Sequence, residues 1–329
     1  MSKRPSEREQ LPLFRALPGE DMALRDAQDL MAYPFFSLAK SRRTVPIRFE
    51  AGGISLTVEG VPEHVIATIW DADVLIWAAS QIVQARDEGK PTSRLMAATP
   101  YEILRFAQRG TGQTEYLALR ASLDRLQSTT VLTSIRQAGK RMHRFSWINE
   151  WQEHVRPDGR SDGIELILPD WFYSGVMDDA LVLTLDPTYF RLTGGIERWL
   201  YRLVRKHGGK QRNGWRFDLR HLYLKSGSLQ RYRGFALHLR GLVLRQALPG
   251  YRLAIEWSGR TEWLAFRPDT DTPWQADLST GGVEEAVDGV WTDSGDHRRG
   301  HREITGTAIG KSPAQNLAQA APGNGLVLP

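Results

Sequence analysis

Four groups of residues in this sequence have types and spacing that chemistry could use, and three of them fail on inspection. Gly306-Thr307-Ala308-Ile309-Gly310-Lys311-Ser312 carries the end of a phosphate-binding loop. That loop needs Gly-x-x-x-x-Gly-Lys-Ser/Thr, the position where the first glycine belongs is Thr305, and no strand precedes it to aim the backbone. His221, His238 and the pair His297 and His301 are not paired on a strand beside a tyrosine, as metal-dependent nicking of DNA requires; the last two, in His-Arg-Arg-Gly-His, read as solvated. Asp71 and Asp73 lie two apart on an expected helix and do not share a face, and Asp178-Asp179 reads as a turn. No catalytic constellation results. The chain is read as a non-enzyme with no cofactor and no metal, and its lack of cysteine removes disulfides and thiolate zinc sites.

The fourth group is a set of cations whose chemistry is recognition. Tyr232, Phe235, Leu239, Leu242, Val243 and Gln246 fall at helical spacing, the first five forming one apolar stripe, and Arg231, Arg233, His238, Arg240 and Arg245 lie off it. From Ile196 to Arg267 there are 16 Lys and Arg against 4 Asp and Glu, a charge of +12, whereas the whole chain is only +5 and the remainder therefore −7. A basic segment in an otherwise acidic chain is an electrostatic footprint for a polyanion.

The elements that must position these cations are legible around them. Residues 216–225 read as a short helix, Ser226-Gly227-Ser228 as a tight turn with Ser228 as N-cap, and the stripe as a longer helix ended by Pro249-Gly250. Tyr251, Leu253 and Ile255 alternate with Arg252, Ala254 and Glu256, Ser258-Gly259-Arg260 turns, and Trp263, Ala265 and Arg267 return. Helix, turn, helix and hairpin are the order of a winged helix-turn-helix, whose second helix enters a DNA major groove.

The same order is expected once before. Leu95–Ala98 reads as a strand, Thr99-Pro100 opens a helix to about Gln108, Gly110-Thr111-Gly112 turns, and Thr114 to Gln127 is a second helix. Thr129 to Ile135 and Phe145 to Ile148 read as its wing, with a basic connector between them holding Lys140 and Arg141. Upstream, Pro46–Glu50 and Ile54–Val58 form a hairpin around Gly52-Gly53, and Glu63 to Arg86 reads as one long helix with an apolar face. Downstream, a helix from about Leu185 to His207, weakened at Gly194-Gly195, joins the two winged units.

The expected architecture is α+β. Residues 1–30 form a flexible arm, 31–180 a first winged-helix domain, 181–267 a linking helix and a second winged-helix domain, and 268–329 a disordered tail of charge −5. With 41% hydrophobic residues there is enough for real cores. No apolar run approaches the ~20 residues of a membrane span, and the charged N-terminus lacks a secretory pattern. A cytoplasmic, nucleic-acid-binding chain is expected, with no membrane partner.

The sequence resembles the plasmid replication initiator protein A family, related in architecture to Rep/TrfA-type initiators with two winged helices. The likeness is carried by Tyr33-Pro34-Phe35-Phe36-Ser37-Leu38 with Arg42, Arg43 and Pro46-Ile47, by Ala67-Thr68-Ile69-Trp70-Asp71 with Asp73-Val74-Leu75-Ile76, and by Thr111-Gly112 with Tyr116. It continues through Leu123-Asp124-Arg125-Leu126 with Thr129-Thr130, then Lys225-Ser226-Gly227-Ser228 and Leu248-Pro249-Gly250-Tyr251-Arg252-Leu253, and spans roughly Leu30 to Arg267. The resemblance implies binding to repeated origin sites (iterons), origin opening, recruitment of the host replication initiator and helicase, and a dimer that represses its own gene while a monomer initiates.

On this reading the partner is double-stranded DNA. Ser226, Ser228 and the following helix N-terminus hold a phosphate, Gln230, Arg231 and Arg233 reach base edges, His238 lies on the same helix, and Arg260 at the wing tip meets backbone or minor groove. In the first unit Thr114, Glu115 and Arg120 are the recognition-helix candidates, and Lys140 and Arg141 the wing contacts. The alternative with the same parts is a winged-helix transcriptional repressor without a replication role.

Overall fold

The computed structural model describes residues 6–19, 22–139, 141–157, 159, 161–209, 214–269 and 282–284. The loop-like Gly306–Ser312 segment, His297, His301, Lys140 and most of the expected tail lie outside them.

The chain begins with a single helical turn, α1 (Glu7–Gln10), and a strand, β1 (Leu13–Arg15). β1 runs parallel to Leu95–Ala97 and buries Phe14, so the described part of residues 1–30 is not a free arm. β2 (Arg25–Ala27) and α2 (Gln28–Ala32) follow, with Leu30, Met31 and Ala32 buried. Next, Phe35 and Phe36 both pack on Trp147, at ring distances of 5.3 and 5.1 Å. β3 (Ile47–Ala51) and β4 (Ile54–Gly60) form the expected hairpin, with Gly52 and Gly53 both at positive φ in its two-residue turn.

α3 (Ala72–Asp87) is buried around nearly its whole circumference, and its buried polar residues are partnered: the Ser80 hydroxyl accepts from the Arg25 amide (2.8 Å) and Gln81 Oε1 from the Leu17 amide (2.7 Å). It starts nine residues later than its periodicity predicts. The chain around Thr68 is held outside the helix instead, because Ser37 donates to the Ala67 carbonyl (2.9 Å) and accepts from the Ile69 amide (3.0 Å), an isolated parallel bridge. Val65 adopts a positive φ there, and the Asp71 carboxylate accepts from the Thr68 amide at 2.7 Å.

Then come β5 (Leu95–Ala98), α4 (Pro100–Phe106) and α5 (Gln113–Ser128). Thr99 caps α4 in a reciprocal pair with Glu102, and Pro100 occupies its first position. The next two strands, β6 (Thr129–Thr133) and β7 (His143–Ser146), correct the expected first wing. β6 pairs antiparallel with β4, so the hairpin joins a separate sheet of order β3-β4-β6-β7. The hairpin that does follow α5 in the first sheet is β8 (Glu150–Val155) with β9 (Ser161–Ile167), giving the order β1-β5-β9-β8.

α6 (Asp170–Met177) and β10 (Val182–Thr184) lead, through a turn of 3-10 helix at Pro187–Arg191, to α7 (Gly195–Gly208). The expected helix from Leu185 is thus two elements, with Gly194 as the N-cap of the second. Gly195 must be glycine: a Cβ there would lie 2.0 Å from the Leu38 carbonyl oxygen. Then follow β11 (Trp215–Asp218), α8 (Leu219–Ser226), α9 (Tyr232–Arg245), β12 (Tyr251–Ser258), β13 (Thr261–Pro268) and β14 (Gly282–Glu284). They form a sheet of order β12-β13-β11-β14. β14 runs parallel to Trp215–Phe217, so three residues of the expected tail belong to this sheet.

The architecture is α+β, and one order occurs twice: helix, strand, helix, helix, hairpin. It runs as α3-β5-α4-α5-β8-β9 and as α7-β11-α8-α9-β12-β13, and the strands are arranged alike, β8-β9-β5 and β12-β13-β11. The described residues of both repeats lie in one compact unit. Buried charge ties them together. Asp73 of α3 accepts from Arg198 of α7 (2.8 Å) and from Arg109 (2.7 Å), and Asp26 of β2 accepts from Arg202 of α7 (2.7 Å). Burial raises the pKa of Asp26 against the pull of Arg202. Among the described residues no helix is long and apolar enough to cross a membrane.

Candidate nucleic-acid interface

The interface is built on the second repeat. α8 starts where Asp218 accepts from the Arg220 amide at 2.9 Å, and ends where Gly227 turns left-handed at φ 57°. Ser226 is fully buried: its hydroxyl donates to the Tyr223 carbonyl (2.7 Å) and accepts from the Ser228 amide (3.1 Å). It shapes the turn and does not face a ligand, which corrects its assignment to a phosphate site. Ser228 caps no helix. Its hydroxyl accepts from the Gln230 amide (3.2 Å) inside the turn, and α9 begins later, with Arg231 in extended backbone as its N-cap and no side chain on its first amides. The Tyr223 hydroxyl donates to the Gln230 carbonyl at 2.7 Å, so the turn is fixed before anything binds. Arg43, in the segment just before β3, fastens it by donating to the Gly227 carbonyl at 2.6 Å.

α9 buries Phe235, Ala236, Leu239 and Leu242. Gln246 locks its far end in a left-handed cap, with its amide nitrogen donating to the Leu253 carbonyl (2.9 Å) and its amide oxygen accepting from the Leu253 amide (2.9 Å). Arg240 is committed within the protein: it grips Glu262 of β13 with two bonds of 2.6 Å, which raise its pKa. Opposite the buried face, Gln230, Arg231, Gly234, Leu237, His238, Gly241 and Arg245 line a shallow solvent-facing strip. α9 contains no acidic residue. Arg231, Arg233 and Arg260 have no carboxylate partner among the described residues, and all three are exposed. Arg260 stands at the tip of the β12–β13 hairpin, next to Gly259 at φ 60°, with Trp257 exposed nearby.

The first repeat is chemically different. Thr114 is exposed at the start of α5, but the Glu115 carboxylate folds back over its own turn, 3.2 Å from where a Cβ on Gly112 would stand. Arg120 is held by Glu153 of β8 (2.8 Å), and Arg125 by Asp71 (2.7 Å). Both cations of α5 are thus paired within the protein, Arg120 with 41% of its side chain still exposed. Arg141 is exposed on the β6–β7 connection, which belongs to the other sheet and not to the hairpin after α5.

Asp71, Asp73 and Asp178 all hold structure: the first two bind arginines, and Asp178 accepts from the Ala180 amide at 2.9 Å. Sequence reasoning passed over Gly234, Leu237 and Gly241. The signal was there, since Leu237 is an apolar residue outside the buried stripe of its helix.

The replication initiator protein A family model matches residues 25–253. A protein of Wigglesworthia glossinidia brevipalpis named "Putative replication protein" is 28% identical over 228 residues, covering 68% of this chain and 82% of that one. Among solved structures, a selenomethionine derivative of domains 2 and 3 of RctB superposes with a TM-score of 0.55 at 16% identity, covering 74% of this chain and 99% of that one. A second structure of RctB domains 2–3 gives a TM-score of 0.50 at 16% identity, covering 74% and 96%. At that identity the likeness is one of fold.

Proposed function

Because the chain belongs to the replication initiator protein A family, we propose that it initiates plasmid replication by binding repeated origin DNA sequence-specifically through two winged helix-turn-helix modules. The observation that carries this reading is α9: a helix without acidic residues, preceded by a fixed turn, whose outer face holds Arg231, Arg233 and His238 beside a hairpin tipped by Arg260. An exposed arginine in the first turn of such a helix is placed for a guanine edge, and one at a wing tip for phosphate.

The two modules are α3 to β9 and α7 to β13, corresponding to domains of residues 31–180 and 181–267. They share strand order, and the buried pair of Asp73 in α3 with Arg198 in α7 favours their acting as one rigid reader that spans successive turns of DNA. Base reading belongs mainly to the second module, because the arginines of α5 are consumed by Glu153 and Asp71. The first adds length and spacing. Origin opening, recruitment of the host initiator and helicase, and autoregulation by a dimer in equilibrium with a monomer follow from the family resemblance. Catalysis has no part, and no covalent adduct between protein and DNA should form.

The test is a plasmid that carries only the cognate origin. It should replicate when this protein is supplied and fail when Arg231 and Arg233 are both alanine. Promoter repression without replication would leave the repressor alternative.

A further inference from the structure

Two features of the outer face of α9 have no use inside the protein. The first is apolar. Leu237 is 67% exposed and Leu244, two turns on, is 86% exposed, although the helix already buries Phe235, Leu239 and Leu242 on its other side. The second is an absence of side chains. Gly234 stands in the first turn of α9 and Gly241 in its interior, where glycine is destabilising relative to alanine. Neither has the positive φ that would require it. A Cβ on Gly234 would meet only the Gln230 Oε1, at 4.0 Å, and one on Gly241 only the Arg245 Nη1, at 3.3 Å, the mobile end of a long side chain. Gly195 and Gly208 differ, since a Cβ there would strike the Leu38 carbonyl or come within 3.0 Å of the Phe266 ring.

We infer that Leu237 reads the C5-methyl group of a thymine in the bound site, and that Gly234 and Gly241 keep the helix surface low enough for base edges to come into contact with it. This rests on the reading of α9 as the DNA-facing helix. The surroundings of Leu237 select this occupant over an apolar groove on another protein. His238 is adjacent, Arg231 and Arg233 lie within two turns with no carboxylate partner among the described residues, and no acid of α9 interrupts them; Arg245, at the far end, is exposed but meets Glu197 of α7 at 3.4 Å. A partner meeting this strip must be anionic and must also display small apolar groups. In the DNA major groove the thymine methyl is the one apolar group a base pair offers. The preferred site then combines guanine opposite the arginines with thymine opposite Leu237.

The experiment selects duplexes from a randomised DNA library with the full chain, then compares the enriched sequence with copies in which each thymine in turn is deoxyuridine, identical but for the methyl. Wild-type protein should bind one such copy about three- to tenfold more weakly, the scale of a lost apolar contact. Leu237→Ala should bind the thymine and uracil duplexes equally, with its melting temperature and salt dependence unchanged. Gly234→Ala should melt at the same or a higher temperature and bind the site at least about tenfold more weakly, opposite signs that a purely structural role does not produce. The inference is overturned if uracil is tolerated at every position, if Leu237→Ala keeps the discrimination, or if Gly234→Ala binds like wild type. If no sequence is enriched at all, the DNA-reading role of α9 falls, and this inference with it.

Discussion

Arg240 and Glu262 face each other across the second repeat in a two-pronged pair, Nε to Oε1 and Nη2 to Oε2, both at 2.6 Å. The pair couples the middle of α9 to the returning strand of the hairpin, so helix and wing keep one angle to each other. The first repeat ties its helix to the other strand of its hairpin, from Arg120 of α5 to Glu153 of β8. Glu262 is nearly buried while Arg240 is 42% exposed, so the pair is worth less than a fully buried one. Glu262→Gln should lower unfolding stability by about 1–2 kcal/mol and weaken specific DNA binding more than non-specific binding. Urea unfolding and paired titrations on specific and scrambled duplexes check this; equal weakening on both duplexes would mean that the pair does not set recognition geometry.

Arg231 sits at the N-cap of α9 with no acidic partner among the described residues. Arg231→Ala should remove ~1–3 kcal/mol of specific binding and relax the preference at one base position. An unchanged ratio of specific to non-specific affinity would take it out of the base-reading set.

Arg260, at the hairpin tip, is expected to meet phosphate. Arg260→Ala should weaken all sequences alike and reduce the slope of log K against log salt by about 0.9. Arg120→Ala, in contrast, should leave that slope unchanged and lower stability, because its charge is already neutralised by Glu153. A salt series on the two variants separates the roles.

Asp26 and Arg202 are 1% and 2% exposed and 2.7 Å apart. Asp26→Ala should cost ~3–5 kcal/mol, because it leaves a buried guanidinium without its counter-charge. Asp26→Leu combined with Arg202→Met should be less harmful than Asp26→Ala alone. Chemical denaturation of the three variants tests this, and a double variant as unstable as Asp26→Ala would deny that the unpaired charge is the cause.

The parts of this fold that are legible in the sequence are those set by neighbours along the chain. The β3–β4 turn follows from Gly52-Gly53, the start of α4 from Thr99, Pro100 and Glu102, and the buried face of α9 from the spacing of Phe235, Leu239 and Leu242. What is not legible depends on distant partners. The β6–β7 hairpin reads as a wing until β4, some 70 residues earlier, is known to claim it. α3 is shortened because Ser37 captures residues 67–69. Arg120 looks free in sequence, and only the fold brings Glu153 to it. Ser228 looks like a helix cap because the extended turn through Arg231 leaves no pattern of its own.

The central claim is that this chain reads repeated origin DNA, and footprinting of the purified protein on DNA flanking its own gene, across a salt series, tests it most directly. The account predicts protection of several evenly spaced direct repeats, each about two helical turns long, that persists at salt concentrations where non-specific binding is lost. A single inverted repeat at a promoter, or uniform coverage that disappears with salt and leaves no discrete footprint, would contradict it.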